Sequence, residues 1–167
     1  MFDHFKKVPE VIRYLCKVIK RGLKKIGIRF RQIAKEFFKI VILNFPEYPA
    51  APYLYTIELC ASTFGKCPDM LESLHDIYQF VCKSVYNYFE SKNIDDNPEI
   101  LEDFFGILFR YTKFIPDVLV VSETLEMNMK MALLVIGSNH KHLNKALYLF
   151  VERLFKNANA DPQDQVQ

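Results

Sequence analysis

The sequence has few glycines, no paired cysteine motif and no long apolar run. Five glycines among 167 residues are too few for the many turns of a β-sandwich. The four cysteines form no C-x-x-C pair, so their spacing indicates neither a zinc site nor a redox motif. Uncharged apolar runs such as residues 40–43 and 133–136 are far shorter than the ~20 residues that span a bilayer.

Catalytic motifs are also missing from the sequence. It contains no G-x-S-x-G, no phosphate-binding glycine loop and no H-E-x-x-H. His140 and His142 would point to different sides of a helix, and no third metal ligand has a matching spacing. The first residues lack the apolar segment of a signal peptide. We therefore expect a chain that is not an enzyme, has no cofactor or small-molecule substrate, and keeps reduced thiols in the cytosol or nucleus.

What the sequence does contain is an uneven distribution of charge. Residues 1–40 carry twelve Lys/Arg against three Asp/Glu, whereas the other residues carry ten against seventeen. Half of those twelve cations fall on one side of the first predicted helix: Arg13, Lys17, Lys20, Arg21, Lys24 and Lys25. Three interpretations are open: a solvated flank, a contact with an acidic protein, or a contact with nucleic acid or anionic lipid. Because the aromatic residues show no base-stacking pattern, we expect no nucleic acid, and we expect no membrane insertion.

Apolar residues recur at intervals of three and four along most of the chain, which predicts an all-α protein. Segment 117–136 is predicted either as one helix or as two, divided by a turn near Ser122. With that segment counted once, seven helices are predicted, at 9–26, 29–44, 52–64, 68–91, 98–115, 117–136 and 140–157.

Prolines and glycines mark the ends of these helices. Proline favours the first helical turn and stands at the predicted starts Pro9, Pro52, Pro68, Pro98 and Pro116. A left-handed residue is favoured just after a helix, which we predict for Gly27, Gly65 and Gly137. Asn97 is predicted to cap the helix that follows it. Gly106 lies inside that helix and predicts close packing against a neighbour.

The helices form pairs of nearly constant length. The first helices begin near residues 9, 52, 98 and 140, at intervals of 43, 46 and 42 residues. A helix pair that recurs every ~40–47 residues is typical of HEAT arrays. We therefore predict a HEAT-like α-solenoid of about three and a half repeats over residues 1–157, with an irregular helical bundle as the alternative. The predicted repeats are 9–44, 52–91, 98–136 and an incomplete 140–157, followed by a disordered tail at 158–167.

The last predicted repeat has a first helix but no second. Leu147, Phe150 and Leu154 form an apolar stripe on it, and we expect this stripe to need a partner helix. Arrays normally end in capping repeats with a polar outer face. This predicts a piece of a longer array, or a chain that pairs at this end with itself or with another protein.

Several segments resemble one known family. Residues 97–105 (N-P-E-I-L-E-D-F-F) and 109–116 (F-R-Y-T-K-F-I-P) are similar to the H-P-x-x-x-x-D-x-F-x-L-x-x-R-F-x-x-x-x-P stretch of the importin-β superfamily, in its transportin-SR and importin-thirteen branch. Residues 53–65 resemble the F-L-Y-L…Y-G helix of that branch. Residues 139–155 resemble the helix after its L-x-H-R-x-A-N segment, with Asn144 at the position of the family's asparagine.

The resemblance extends over about residues 8–157 and implies the middle to C-terminal part of a nuclear transport receptor, or karyopherin. Receptors of this family are HEAT-repeat proteins that shuttle between cytoplasm and nucleus. They bind protein cargo, contact nucleoporins in the pore and are controlled by the Ran GTPase. The cargo, the oligomeric state and the role of the basic first helix are not determined by the resemblance.

The resemblance also implies candidate contact residues. In transportin-SR, arginines on the helix equivalent to 140–155 hold phosphorylated Arg-Ser cargo. Leu149 and Glu152 stand where arginines would be expected, which leaves recognition of Arg-Ser cargo open. Basic character is kept on this helix by Lys141, Lys145 and Arg153. The second helices would line a concave, cargo-binding side, where the candidates are Lys35, Lys39, Lys83 and Glu90.

Overall fold

The computed structural model describes residues 9–121 and 123–159, and within these ranges every regular element is a helix. The prediction of an all-α chain is therefore confirmed for the described residues. Two short 3₁₀ helices cover Gly27–Phe30 and Ile94–Asp96. The α-helices in these ranges are α1 (Pro9–Ile26), α2 (Arg31–Asn44), α3 (Ala51–Phe64), α4 (Pro68–Phe89), α5 (Pro98–Phe114), α6 (Pro116–Val121), α7 (Leu125–Val135) and α8 (Lys141–Ala158).

The boundaries agree with the predicted ones to within a few residues. The segment predicted at 117–136 is two helices, α6 and α7, and the predicted break at Ser122 lies outside the described residues. The predicted tail at 158–167 begins with the last residue of α8 and a turn at Asn159, and its remaining residues lie outside the described ranges.

The glycines after helices follow two different rules. Gly27 and Gly137 have φ values of +59° and +88°, so the prediction of left-handed residues there is confirmed. The same prediction is wrong for Gly65, whose φ is −58°. Glycine is required there by space, since a Cβ atom on Gly65 would lie 3.0 Å from the Cβ of Phe114.

Asn97 stands at the N-cap of α5, but its side chain makes no capping bond. The amide Nδ2 instead donates a hydrogen bond of 3.0 Å to the hydroxyl of Tyr88, near the end of α4. The predicted side-chain cap is therefore wrong because the tyrosine of the preceding helix competes for the same amide. The bond fixes the connection between α4 and α5.

The helices pack in two series. Helices α1, α3, α5 and α8 lie side by side in chain order, and each makes extensive contact with the next. Helices α2, α4 and α7 form a second series in the same way. Contacts of α2 and α4 with α3, of α4 with α5, and of α7 with α8 join the two series. This arrangement is consistent with an α-solenoid.

Burial follows the position of each helix in its series. Helices α3 and α5 have neighbours on both sides and bury residues around most of their circumference. Helix α1 stands at one end of the series and buries a single stripe, Ile12, Cys16, Ile19 and Leu23. This difference is expected because an amphipathic helix hides only the face that has a partner.

Buried polar side chains join the second series to the first. Tyr111 of α5 is fully buried, and its hydroxyl donates a hydrogen bond of 2.8 Å to the carbonyl of Leu74 in α4. Its ring lies 4.6 Å from the ring of Tyr78, also in α4. The hydroxyl of Tyr78 accepts a hydrogen bond of 2.9 Å from Asn128 in α7. Buried hydroxyls need such partners, so these bonds fix the relative positions of α4, α5 and α7.

Helix α8 contradicts the expectation of an unpaired stripe. Leu147 and Phe150 are buried, and the ring of Phe150 lies 6.1 Å from that of Phe105 in α5. That prediction is therefore wrong, because α8 packs beside α5 as α5 packs beside α3. The exposed apolar residues of α8 lie on another side and include Tyr148 and Phe155.

Two Phe→Ala substitutions on α8 test this orientation. Phe150 has no exposed surface, so Phe150→Ala should lower the free energy of unfolding by about 3–5 kcal/mol. Phe155 is 61% exposed, so Phe155→Ala is the matched control and should cost less than about 1 kcal/mol. Urea denaturation followed by circular dichroism measures both. Equal losses would contradict the packing of α8 on α5.

Candidate binding surfaces

The six predicted cations of α1 do lie on its solvent side. All are exposed except Lys20, which is partly buried, and none pairs with an acidic side chain of the described residues. The ammonium of Lys17 lies 5.3 Å from the ring centre of Tyr14. The ammonium of Lys20 lies 4.5 Å from the ring centre of Tyr55 in α3, which explains its partial burial.

An open cleft of about 360 Å³ separates this basic side of α1 from α3. We call it the α1–α3 cleft. Helix α1 contributes three of the predicted cations to it, and α3 contributes mainly apolar surface. Its lining residues are Arg13, Cys16, Lys17, Lys20, Ala51, Pro52, Tyr55, Thr56 and Asp103. The cleft therefore combines positive charge with an apolar wall.

Asp103 reaches this cleft from α5. It lies in the second turn of that helix. Burial, together with the nearby charges of Glu58, Glu102 and Glu99, raises the pKa of its carboxyl to about 7. No sequence period could have placed it in the cleft, because its location depends on how α5 packs against α3.

Glu58 of α3 is held in place by α5. Its carboxylate accepts a hydrogen bond of 2.8 Å from Nε of Arg110, and both side chains are partly buried. A Cβ atom on Gly106 would lie 3.0 Å from the Oε2 atom of Glu58. The close approach predicted at Gly106 is therefore confirmed, and the neighbour is a carboxylate.

The candidate contact residues on α2 and α4 are not gathered at one place. Lys35 donates a hydrogen bond of 3.0 Å to the carbonyl of Asp69, at the start of α4. Lys39 pairs with Glu36 on its own helix at 2.7 Å. Lys83 is exposed on α4, about 20 Å along the helix axis from Asp69. Glu90 follows the end of α4 and is exposed as well.

On α8, Lys141 and Lys145 are exposed, one turn apart. The helix start is fixed by Asn144, whose amide donates a hydrogen bond of 2.6 Å to the carbonyl of Ser138. Arg153 is partly buried, and its Nε atom has no hydrogen-bond partner among the described residues. The three candidates on α8 are thus two solvated lysines and one half-buried arginine.

The outer side of α8 carries a groove that the sequence reasoning missed. It has a volume of about 500 Å³ and is lined by Tyr148, Val151, Glu152, Phe155, Lys156 and Asn159. Glu152, at one of the positions where family arginines are expected, forms an ion pair of 2.7 Å with Lys156. The signal was present, since Tyr148, Val151 and Phe155 follow helical spacing beside the buried stripe.

The buried thiols are unsuited to nucleophilic or redox chemistry. Burial raises the pKa of Cys16 to about 11 and that of Cys82 to about 12, and it raises the pKa of Cys60 as well. A thiol with such a pKa is protonated at neutral pH and is a poor nucleophile. All four cysteines are free thiols.

The chain matches no protein-family model and no curated protein. Within the described ranges, no helix is long and apolar enough to cross a membrane. The same residues contain no group of three or more His, Cys, Asp or Glu side chains placed to hold a metal ion.

Asp103→Asn tests the electrostatics of the cleft. The pKa of this carboxyl is raised from 3.8 to about 7 on folding, so the folded state binds more protons than the unfolded state between those values. The free energy of unfolding of the wild type must therefore fall as the pH rises through this range. We expect the free energy of unfolding of the variant to exceed that of the wild type by up to about 4 kcal/mol near pH 8, and the two values to be equal near pH 3.

Urea denaturation at both pH values measures this difference. Glu72→Gln, an exposed position on α4, is the control and should change stability little at either pH. A gain in Asp103→Asn that is the same near pH 3 and pH 8 would show that the pKa of Asp103 is not its cause.

Proposed function

We propose that the chain forms a HEAT-type α-solenoid and belongs to a nuclear transport receptor of the importin-β superfamily, which binds protein cargo without catalysing a reaction. Two kinds of support underlie this proposal. The serial packing of the helices supports the array. The resemblance in residues 97–116 and its neighbours supports the transport role.

The observation that carries the array is the order of packing. In a bundle, the first and last helices would close around a shared core. Here α1 packs mainly on α3 and α8 mainly on α5, with α3 and α5 between them. The series begins its helices at Pro9, Ala51, Pro98 and Lys141, at intervals of 42, 47 and 43 residues. Near-constant spacing together with serial packing favours stacked repeats.

The resemblance implies the partners that a transport role would require. These are protein cargo, nucleoporins and the Ran GTPase, and the receptor would shuttle between cytoplasm and nucleus. Lys141 and Lys145 are the best candidates for cargo contact on α8, because they are exposed and have no partner among the described residues. Lys35 and Lys39 are weaker candidates, since both already bond to neighbours.

The second candidate function is a free-standing adaptor or scaffold that uses the same stacking with other partners. It is favoured by the exposed apolar groove on α8, which suits a protein contact of any kind. Sequencing the transcript beyond Gln167 and upstream of Met1 separates the two. Further helix pairs of about 40 residues would favour the receptor, and their absence would favour the adaptor.

Release by Ran is the functional test. Proteins bound from cell extract by the intact gene product should be released by Ran carrying a non-hydrolysable GTP analogue, and retained with Ran bound to GDP. Equal retention with both would contradict the transport role and support the adaptor.

The double variant Lys141→Glu/Lys145→Glu should bind several-fold less cargo, since reversing two solvated charges weakens recognition of an acidic partner. Lys66→Glu/Lys92→Glu, at exposed positions elsewhere, should bind as the wild type does.

A further inference from the structure

Among the described helices, α1 carries the most cations without an acidic partner. On α7 and α8, by contrast, some cations pair with an acid of their own helix, as Lys130 does with Glu126 and Lys156 with Glu152, both at 2.8 Å or less. Helix α1 has six cations and a single acid, Glu10, which makes no ion pair with them. Like charges at helical spacing repel one another, so this face has an electrostatic cost that an acidic partner would relieve.

Apolar side chains lie among these cations. Tyr14 and Val18 are 64% and 62% exposed, one turn apart on the solvent side of α1. They continue along the helix into Arg21 and Lys25 at spacings of three and four residues. We use the term α1 face for this surface, which consists of Tyr14, Val18 and the six cations of α1. Mixed apolar and basic surfaces of this kind suit a protein segment that carries both acidic and apolar side chains.

The α1–α3 cleft adds a place for one such apolar side chain. Its apolar wall comes from Ala51, Pro52 and the ring of Tyr55. Arg13, Lys17 and Lys20 lie along its α1 side, within reach of a carboxylate beside the inserted group. This open cleft of about 360 Å³ has room for one or two side chains of a protein partner.

We propose that the α1 face and the α1–α3 cleft bind an acidic, partly apolar peptide segment of a partner protein. The acidic side chains contact the cations of α1, and an apolar side chain enters the cleft. This rests on the proposed function only for the general role in binding proteins, and it does not depend on transport or on Ran. An extended segment of about eight residues spans the length of α1.

Two other anionic partners fit less well. A membrane-surface helix inserts its apolar stripe into the lipid, but the stripe of α1 is buried in the core against α3. Single-stranded nucleic acid favours several open aromatic faces on which successive bases stack, whereas one face of Tyr14 and one face of Tyr55 are each covered by a lysine ammonium. Asp103 and its acidic neighbours would also repel a long chain of phosphates.

The probe is a fluorescent synthetic peptide of about a dozen residues in which glutamates alternate with leucine and phenylalanine, long enough to cover α1. The control peptide has glutamine in place of every glutamate. Fluorescence anisotropy with the full 167-residue chain should show binding of the acidic peptide that weakens with salt, and at least about tenfold weaker binding of the neutral one. Equal binding of the two peptides, or binding of neither, would overturn the proposal.

Charge reversal locates the site. Arg13→Glu/Lys17→Glu/Lys20→Glu should weaken binding of the acidic peptide by at least about tenfold. Lys66→Glu/Lys92→Glu/Lys113→Glu makes the same change of net charge at exposed positions outside α1 and should bind within about twofold of the wild type. Equal weakening in both triple variants would reduce the effect to net charge and refute a site on α1. Circular dichroism and thermal melting verify that each variant is folded.

A single substitution tests the apolar part with little risk to folding. Tyr14→Ala removes an exposed ring and should weaken peptide binding a few-fold without changing its salt dependence. An oligonucleotide or a phosphatidylserine vesicle that bound more tightly than the acidic peptide would replace the proposed partner class. If the wild-type chain failed to bind the acidic peptide while Ran still released cargo, this inference would be refuted and the proposed function would stand.

Discussion

The structure depends on α5, which buries apolar residues around most of its circumference. A helix of that kind cannot stand at a surface, so it needs neighbours in its own series and behind it. Helices α3 and α8 cover its flanks, and α4 covers its inner side, where the ring of Tyr111 packs against the ring of Tyr78. The polar contact between Arg110 and Glu58 joins α5 to α3. Once α5 is placed, the positions of α3, α4 and α8 follow from it.

Local features of this fold could be read from the sequence, because they depend on neighbouring residues. Helical spacing predicted the helices, and prolines marked their starts. Gly27 and Gly137 were predicted correctly, but Gly65 was not, because its reason is the approach of Phe114 from another helix. The partner of Phe150 was missed for a related reason. A stripe shows that a helix needs a neighbour, but it does not say which helix supplies it.

The candidate surfaces divide in the same way. The cations of α1 were predictable because one helix carries them all. Asp103 joins them only through the packing of α5 on α3, and the α1–α3 cleft exists only between helices. The candidates on α2 and α4 were predicted from an expected concave side of the array, which no local pattern specifies. In the structure they lie apart along those helices. Sites formed within one helix are therefore visible in the sequence, and sites between helices are not.

The cleft sets two opposite charges close together, and this restricts what it can bind. Its α1 side carries cations without acidic partners, while its α5 side carries Asp103, with Glu58, Glu99 and Glu102 near it. Above pH 7, where Asp103 is mostly ionised, a uniformly charged polyanion lying across both sides would be attracted by one and repelled by the other. A short segment can place its acidic side chains over α1 and an apolar side chain in the cleft. Its acids then contact the cations and stay away from the acidic α5 side. The acidic side of the cleft thus contributes selectivity by excluding ligands.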